Sequence, residues 1–170
     1  MKVLIISDSH GLTDELQEIR KRHESETEAM FHCGDSELPA DHPSMQGFVS
    51  VRGNCDYEQK YAEELIEEAG GFRFFIAHGH MHNVKSTLMN LKYAAEDHGA
   101  KIVCFGHSHV AGAESAGGIL FINPGSIRLP RMRIEKTYVI LEIQNGSAAV
   151  TFYQQDGTPV KGMAQRFELS

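Results

Sequence analysis

The chain has 170 residues, with 16 Lys and Arg against 23 Asp and Glu, for a formal net charge of −7 at pH 7. That length is one ordinary domain, residues 1–170, with interior enough to fold without disulfide or metal staples. Hydrophobic residues at 41% and charged residues at 23% exclude a disordered or membrane-embedded chain, and the acidic balance excludes a general nucleic-acid coat protein.

Lys2–Ser7 is a continuous apolar run that predicts a strand buried on both faces, and it turns acidic too soon for a signal peptide. Thr13-Asp14-Glu15 opens a helix with Leu12, Leu16 and Ile19 at helical spacing. Glu28–His32 and Phe48–Val51 are shorter strand-like runs, separated by a proline-containing loop over Leu38–Gln46. Tyr61–Ala69 carries glutamates that suit a helix. Gly70-Gly71 and the apolar run Phe72–Ala77 favour a β-hairpin there instead. Ser86–His98, with Leu88, Leu91 and Ala95 on one face, is the clearest helix. Strands follow at Lys101–Phe105 and Ile119–Ile122. The strongest hairpin signal is Asn145-Gly146 between Thr137–Ile143 and Ala148–Gln154.

Cys33, Cys55 and Cys104 are widely spaced and form no CxxC pair, which predicts reduced thiols and a cytoplasmic protein. Cys33 and Cys104 sit on apolar runs and read as small core residues. Of the ten histidines, those near strand ends carry the chemistry. Asp8-Ser9-His10 follows the first strand, Gly34-Asp35 the second, and Gly53-Asn54-Cys55-Asp56 the third. His78-Gly79-His80 and Gly106-His107-Ser108-His109 follow two more. In open α/β sheets, ligands bind outside the carboxyl ends of strands, so five such turns converge on one crevice. Their O and N donors suit borderline divalent ions such as Mn, Fe, Zn or Ni. Seven candidate ligands exceed what one tetrahedral zinc takes and fit two ions sharing a carboxylate, a clamp for displacement at phosphorus.

These five motifs in this order resemble the calcineurin-like metallophosphoesterases, over Met1 to about Phe152. Cys55 and Asn123-Pro124-Gly125-Ser126 resemble their small bacterial and archaeal phosphodiesterases of the YfcE/YsnB type. The resemblance implies an α/β/β/α sandwich of two mixed sheets flanked by helices. It implies that Asp8, His10 and His109 hold one divalent ion, that Asn54, His78 and His107 hold a second, and that Asp35 bridges them. Mn2+ is the foremost expectation, with Ni2+, Zn2+ or Fe as alternatives. It further implies attack on phosphorus by a metal-bridging hydroxide in a small phosphodiester or phosphomonoester substrate. Many members carry histidine after the metal-binding asparagine; Cys55 stands there in this chain, leaving His80 as the nearest proton donor in sequence and Asp56 to orient a neighbour.

Each motif also has a plainer reading. Asp8 and His10 would cap the following helix, and Asp35 and Asn54 would be turn residues. His82 reads as a surface residue, and His23, His32, His42 and His98 as structural or exposed. Asn123-Pro124-Gly125-Ser126 reads equally as a turn or as a presenter of N–H groups to phosphate. Arg128, Arg131 and Arg133 form a solvated loop or a phosphate-binding rim. The functional alternatives are a phosphomonoesterase or nuclease on the same site, or a non-catalytic metal-binding scaffold, as in the eukaryotic retromer subunit that resembles this family. No membrane and no long nucleic acid is expected as partner. The late hairpin offers an edge for a homo-oligomer.

Overall fold

The first strand, β1 (Lys2–Ile6), sends alternate side chains to two different layers, and the architecture follows from that alternation. Val3 and Ile5 pack inward, among residues of a second sheet. Leu4 and Ile6 pack outward, against Leu16 and Ile19 of a helix. A strand covered on both faces has to be apolar throughout, as Lys2–Ser7 is. The computed structural model describes residues 1–169.

After β1 come helix α1 (Asp14–His23), β2 (Ala29–His32), β3 (Val49–Ser50), the hairpin β4 (Glu64–Ala69) and β5 (Phe72–Ala77), and helix α2 (Met89–Asp97). The remaining elements are β6 (Ile102–Cys104), β7 (Gly112–Ala116), β8 (Ile119–Asn123), β9 (Thr137–Gln144), β10 (Ser147–Gln154) and β11 (Gln165–Glu168). One mixed sheet has the order β11-β10-β9-β1-β2-β3, the other β4-β5-β6-β8-β7. β1, β2 and β3 run parallel in the first sheet, and β5, β6 and β8 run parallel in the second.

The sheets face each other across Val3, Ile5, Phe31, Phe74, Ile76 and Leu141, with the Phe31 and Phe74 rings edge to face at 5.2 Å. Helix α1 covers the outer face of the first sheet, and α2 covers Phe75, Val103 and Phe121 of the second. The expected α/β/β/α sandwich is therefore the fold. Within it, Asp14 and Glu15 lie in the first turn of α1, and Arg20, Lys21, Arg22 and His23 in its last, both complementing the helix dipole.

The glutamate-rich segment is the hairpin, with Leu65↔Ile76 and Glu67↔Phe74 in register; Glu64 and Glu68 project from an edge strand into solvent, where helix and strand glutamates look alike. Strands β7 and β11 have no counterpart in the sequence reading. Gly112–Ala116 and Gln165–Glu168 are edge strands with few apolar residues, so neither shows a periodic pattern. The loop over Leu38–Gln46 contains a single 3-10 turn, Pro43–Met45, capped by His42. The Asn145-Gly146 turn has both residues at positive φ, 52° and 78°, as the twist of a two-residue hairpin requires. Among the described residues no helix is long and apolar enough to cross a membrane.

His23 is structural. Its Nε2 lies 2.7 Å from the hydroxyl of the fully buried Tyr138, and its Nδ1 lies 2.7 Å from Glu26. Tyr138→Phe leaves that buried nitrogen without its partner, so it should cost about 1–2 kcal/mol and lower the Tm by roughly 2–8 °C, read by thermal denaturation.

Candidate metal centre

Loops from both sheets meet at the carboxyl ends of β1, β2, β3, β5 and β6, and backbone hydrogen bonds lace them together. Asp8 N donates to Gly34 O at 3.0 Å, His10 N to Asp35 O at 2.9 Å, and Gly106 N to His78 O at 3.0 Å. Asp8, His10, Asp35, His107 and His109 all have left-handed backbones, with φ between 43° and 67°. Each such residue costs about 1–2 kcal/mol, and the surrounding structure holds that strain where these side chains point into one crevice. The loops approach so closely that a Cβ on Gly53 would overlap the Asp35 carboxylate, and one on Gly106 would overlap the Ser7 hydroxyl.

Asp8 lies at the centre. Its Oδ2 accepts from Ser7 Oγ at 2.6 Å and from His107 N at 3.1 Å. Its Oδ1 is buried and has no aligned hydrogen-bond partner. Three imidazole nitrogens face that oxygen: His109 Nε2 at 3.0 Å, His10 Nε2 at 3.7 Å and His78 Nε2 at 3.8 Å.

The far side of each ring decides what those nitrogens carry. His78 Nδ1 donates to Cys33 O and His109 Nδ1 to Leu129 O, both at 2.7 Å, while His10 Nδ1 lies 2.9 Å from Glu37 Oε1. Carbonyl and carboxylate oxygens only accept, so each of these Nδ1 atoms carries a proton and Nε2 is the nitrogen turned to the crevice, where a neutral ring offers a lone pair. Nε2 of His10 and of His109 stand 3.2 Å apart, and His78 Nε2 stands 3.2 Å from Asp35 Oδ2 and 3.1 Å from Asn54 Oδ1. Lone pairs and carboxylate oxygens crowded this way repel unless positive charge lies among them. The oriented rings are what metal-binding histidines show.

Ligating atoms of Asp8, His10 and His109 lie within 4.8 Å of one another, as do those of Asp8, Asp35 and His78. A third group is His10, Asp35 and Cys55. Two triads sharing a buried carboxylate, with oxygen and imidazole donors, fit divalent ions of the Mn–Zn range. Asn54 joins the second triad through the carboxamide oxygen just described. His107 is in neither triad; its ring centroid lies 5.1 Å from that of His78, and the His80 ring lies 5.4 Å from His78 and 6.1 Å from His107.

Burial works to raise the Asp8 pKa, but His109, His78 and the Ser7 hydroxyl more than offset it, so the carboxyl stays below its ordinary range. For Asp35, burial is likewise outweighed by His78 and the Cys55 N–H, and its carboxyl lies far below that range. Burial would lower His78, yet Asp35 and Asp8 raise it on balance; Asp8 also raises His109 against burial. Burial and the His78 charge push His107 down to about 4 and His80 below its usual value. Burial and the Asp35 charge push the Cys55 thiol up to about 11.

Helix α1 is capped at Thr13 with no side-chain hydrogen bond, so Asp8 and His10 are free of a capping role. Asp56 does orient its neighbours: its carboxylate accepts from the N–H groups of Asp35, Gly53 and Glu37 at 2.7–2.8 Å, tying the second and third loops together. His32, fully buried, donates from Nε2 to Ser9 Oγ and accepts the Gly34 N–H at Nδ1; burial holds it neutral, with its pKa near 4. Asn123-Pro124-Gly125-Ser126 is a brace turned inward. Ser126 Oγ donates to Asp8 O at 2.7 Å and accepts from Arg128 N and Leu129 N, so these groups are committed within the protein. His82, expected at the surface, is buried with Nε2 2.8 Å from Glu64, because the short helix after Gly79 folds it under Phe75. Glu37, two residues beyond Asp35, escaped the sequence reading. A carboxylate on the same short loop as a ligand was the available signal.

The pH dependence of metal binding has a definite sign. Protons compete with an ion for Nε2 of His78 and His109, whose pKa values are raised, while Asp8 and Asp35 remain ionised. Mn2+ affinity should therefore weaken as pH falls through and below neutrality, by about ten- to hundredfold per unit, read by calorimetry between pH 8 and 5. A flat profile would contradict the assigned ring protonation.

Comparison with known proteins agrees with this geometry. The calcineurin-like phosphoesterase superfamily domain matches residues 1–146. The probable metallophosphoesterase YsnB of Bacillus subtilis is 51% identical over 169 residues, covering 99% of this chain and 100% of that protein. The crystal structure of a predicted phosphoesterase from Streptococcus pneumoniae matches with a TM-score of 0.94 at 37% identity, over 98% of this chain and 97% of its own. The phosphodiesterase YfcE of Escherichia coli is more distant, 29% identical over 105 residues, or 55% of this chain and 52% of YfcE. With strand-end carboxylates and imidazoles in that family's order, on its fold, the chain belongs to the calcineurin-like phosphoesterase superfamily.

Proposed function

We propose that this chain is a dinuclear metal-dependent phosphoesterase acting chiefly on phosphodiesters. The observation that carries the reading is the buried Asp8 Oδ1, without an aligned partner and faced by three Nε2 atoms whose rings are locked by hydrogen bonds on their other nitrogens. Asp8, His10 and His109 would hold one ion and Asn54, His78 and His107 the other, with Asp35 contributing to both. Bound divalent ions supply Lewis acidity toward phosphoryl oxygens and lower the pKa of water toward about 7.

The protein's own residues do the rest. Asp8 and Asp35, both ionised, set the negative charge of the site, and Asp56 and Ser126 fix the loops that carry them. His80 is half-buried and its pKa is lowered by burial and by His78, so it is neutral at pH 7 and serves as a hydrogen-bonding partner for a phosphoryl oxygen. Cys55, with its thiol pushed up to about 11, stays protonated at neutral pH and is a weak donor. Neither group delivers a full proton readily, so the site favours esters whose leaving oxygen departs as a stable anion, as in activated diesters.

Metal-stripped protein should regain hydrolysis of bis-p-nitrophenyl phosphate on adding Mn2+, Ni2+ or Zn2+, with a weaker rate on p-nitrophenyl phosphate. Asp35→Asn should lower the rate on the order of 100-fold or more. Turnover independent of metal, or full activity in Asp35→Asn, would sink the proposal, and two bound ions with no turnover would favour a scaffold. Across aryl methyl phosphodiesters the rate should fall steeply as the leaving-group pKa rises. Cys55→Ala should change neither that slope nor the rate by more than about tenfold, less than general acid–base catalysis contributes.

A further inference from the structure

Beside the metal centre lies a cleft of ≈ 590 Å³ to which none of the ligands contributes. Its apolar walls are Val84 and Leu88, before α2, and Phe105 and Phe121, from the ends and interior of the second sheet. Val84, Phe105 and Phe121 are otherwise buried, so the cleft reaches the apolar layer between that sheet and α2. The volume is in the range of small-molecule sites, and apolar walls with a few polar groups are their usual character.

The cleft adjoins the loop that carries His107 and His109, because Ser108, between them in the chain, is part of its lining. Ser108 Oγ accepts from Asn123 Nδ2 at 3.0 Å and from Val110 N at 3.3 Å. With both lone pairs taken, its hydroxyl hydrogen is left to donate into the cleft. Two exposed cations, Lys85 and Arg131, line the same space, and Arg131 is held next to the centre by its N–H to His109 O at 3.0 Å. An apolar slot with a hydroxyl donor, two cations and the single carboxylate of Glu114, beside a candidate metal centre, suits a ligand with a flat ring joined to a phosphate. A long acyl chain would leave the Ser108 hydroxyl without a partner.

We propose that this cleft is the subsite for one organic substituent of the phosphodiester, and that the preferred substituent carries a flat, largely apolar ring of the nucleobase kind. The inference rests on the phosphoesterase reading above and deepens it. The ring lies against Phe105 and Phe121, Ser108 donates to a polar atom of the substituent, and Lys85 and Arg131 attract the ester's negative charge.

Gly112 offers the test. It lines the cleft, its φ is not in the left-handed region, and a Cβ placed on it meets nothing within 4 Å, so Gly112→Leu fills the slot without strain on the fold. Thymidine 5′-monophosphate and methyl phosphate, two phosphate monoesters differing in the ring, are titrated by calorimetry into Mn2+-loaded protein. Wild-type protein should bind the thymidine ligand at least about tenfold more tightly, and Gly112→Leu should bring the two affinities together by weakening the thymidine ligand alone. Equal affinities in wild type, or a thymidine preference that survives Gly112→Leu, would overturn the subsite. These binding outcomes are separate from failure of the phosphoesterase reading, which would appear as no metal-dependent hydrolysis of bis-p-nitrophenyl phosphate.

Discussion

A single carboxylate oxygen, Asp8 Oδ1, is placed where no protein group hydrogen-bonds it, and much of the molecule is arranged around it. Its sister oxygen is fastened by Ser7 and His107, its main chain by Gly34 and Ser126, and its neighbours by Asp56 and His32. A buried charge in that condition is destabilising without a cation, so the cost is met by rigidity elsewhere and recovered when an ion binds. The left-handed backbones at five of the seven expected ligands belong to the same trade, local strain held by a stiff frame.

The frame is stiff because it has two layers of strands whose inner faces interlock and whose outer faces are each covered by a helix. Parallel strands β1–β3 and β5–β6 point their carboxyl ends the same way within their sheets, and packing the sheets brings both sets of loops to one crevice. The same packing leaves the cleft by Phe105 and Phe121, with Ser108 in its wall next to the loop of His107 and His109.

Histidine serves three different ends in this chain, and burial alone does not separate them. His78 and His109 are aimed by carbonyl oxygens and pulled up by carboxylates; His32 is fully buried, neutral, and pins two loops; His23 anchors Tyr138 of β9. What distinguishes them is the acceptor on the ring's other nitrogen.

Much of this was legible in the residues. Continuous apolar runs marked β1, β5 and β6, the Asn145-Gly146 pair marked β9 and β10, and turns of Asp, Asn and His after strands marked the crevice. Edge strands β7 and β11 were not legible, because partly solvated strands need no apolar period. His82 looked exposed and is buried, since a three-residue turn after Gly79 redirects it, and no periodicity describes so short an element. By itself the sequence determined the two-faced burial of the central strands and the kinds of donor atom at their ends, because both follow from side-chain chemistry and local spacing. Only the tertiary structure decided which nitrogen of each histidine faces the crevice, that Asp8 and not Asp35 alone is shared between triads, and that the Pro124 turn braces the protein's interior. Those depend on acceptors contributed from 20 to 118 residues away, a distance no local pattern encodes.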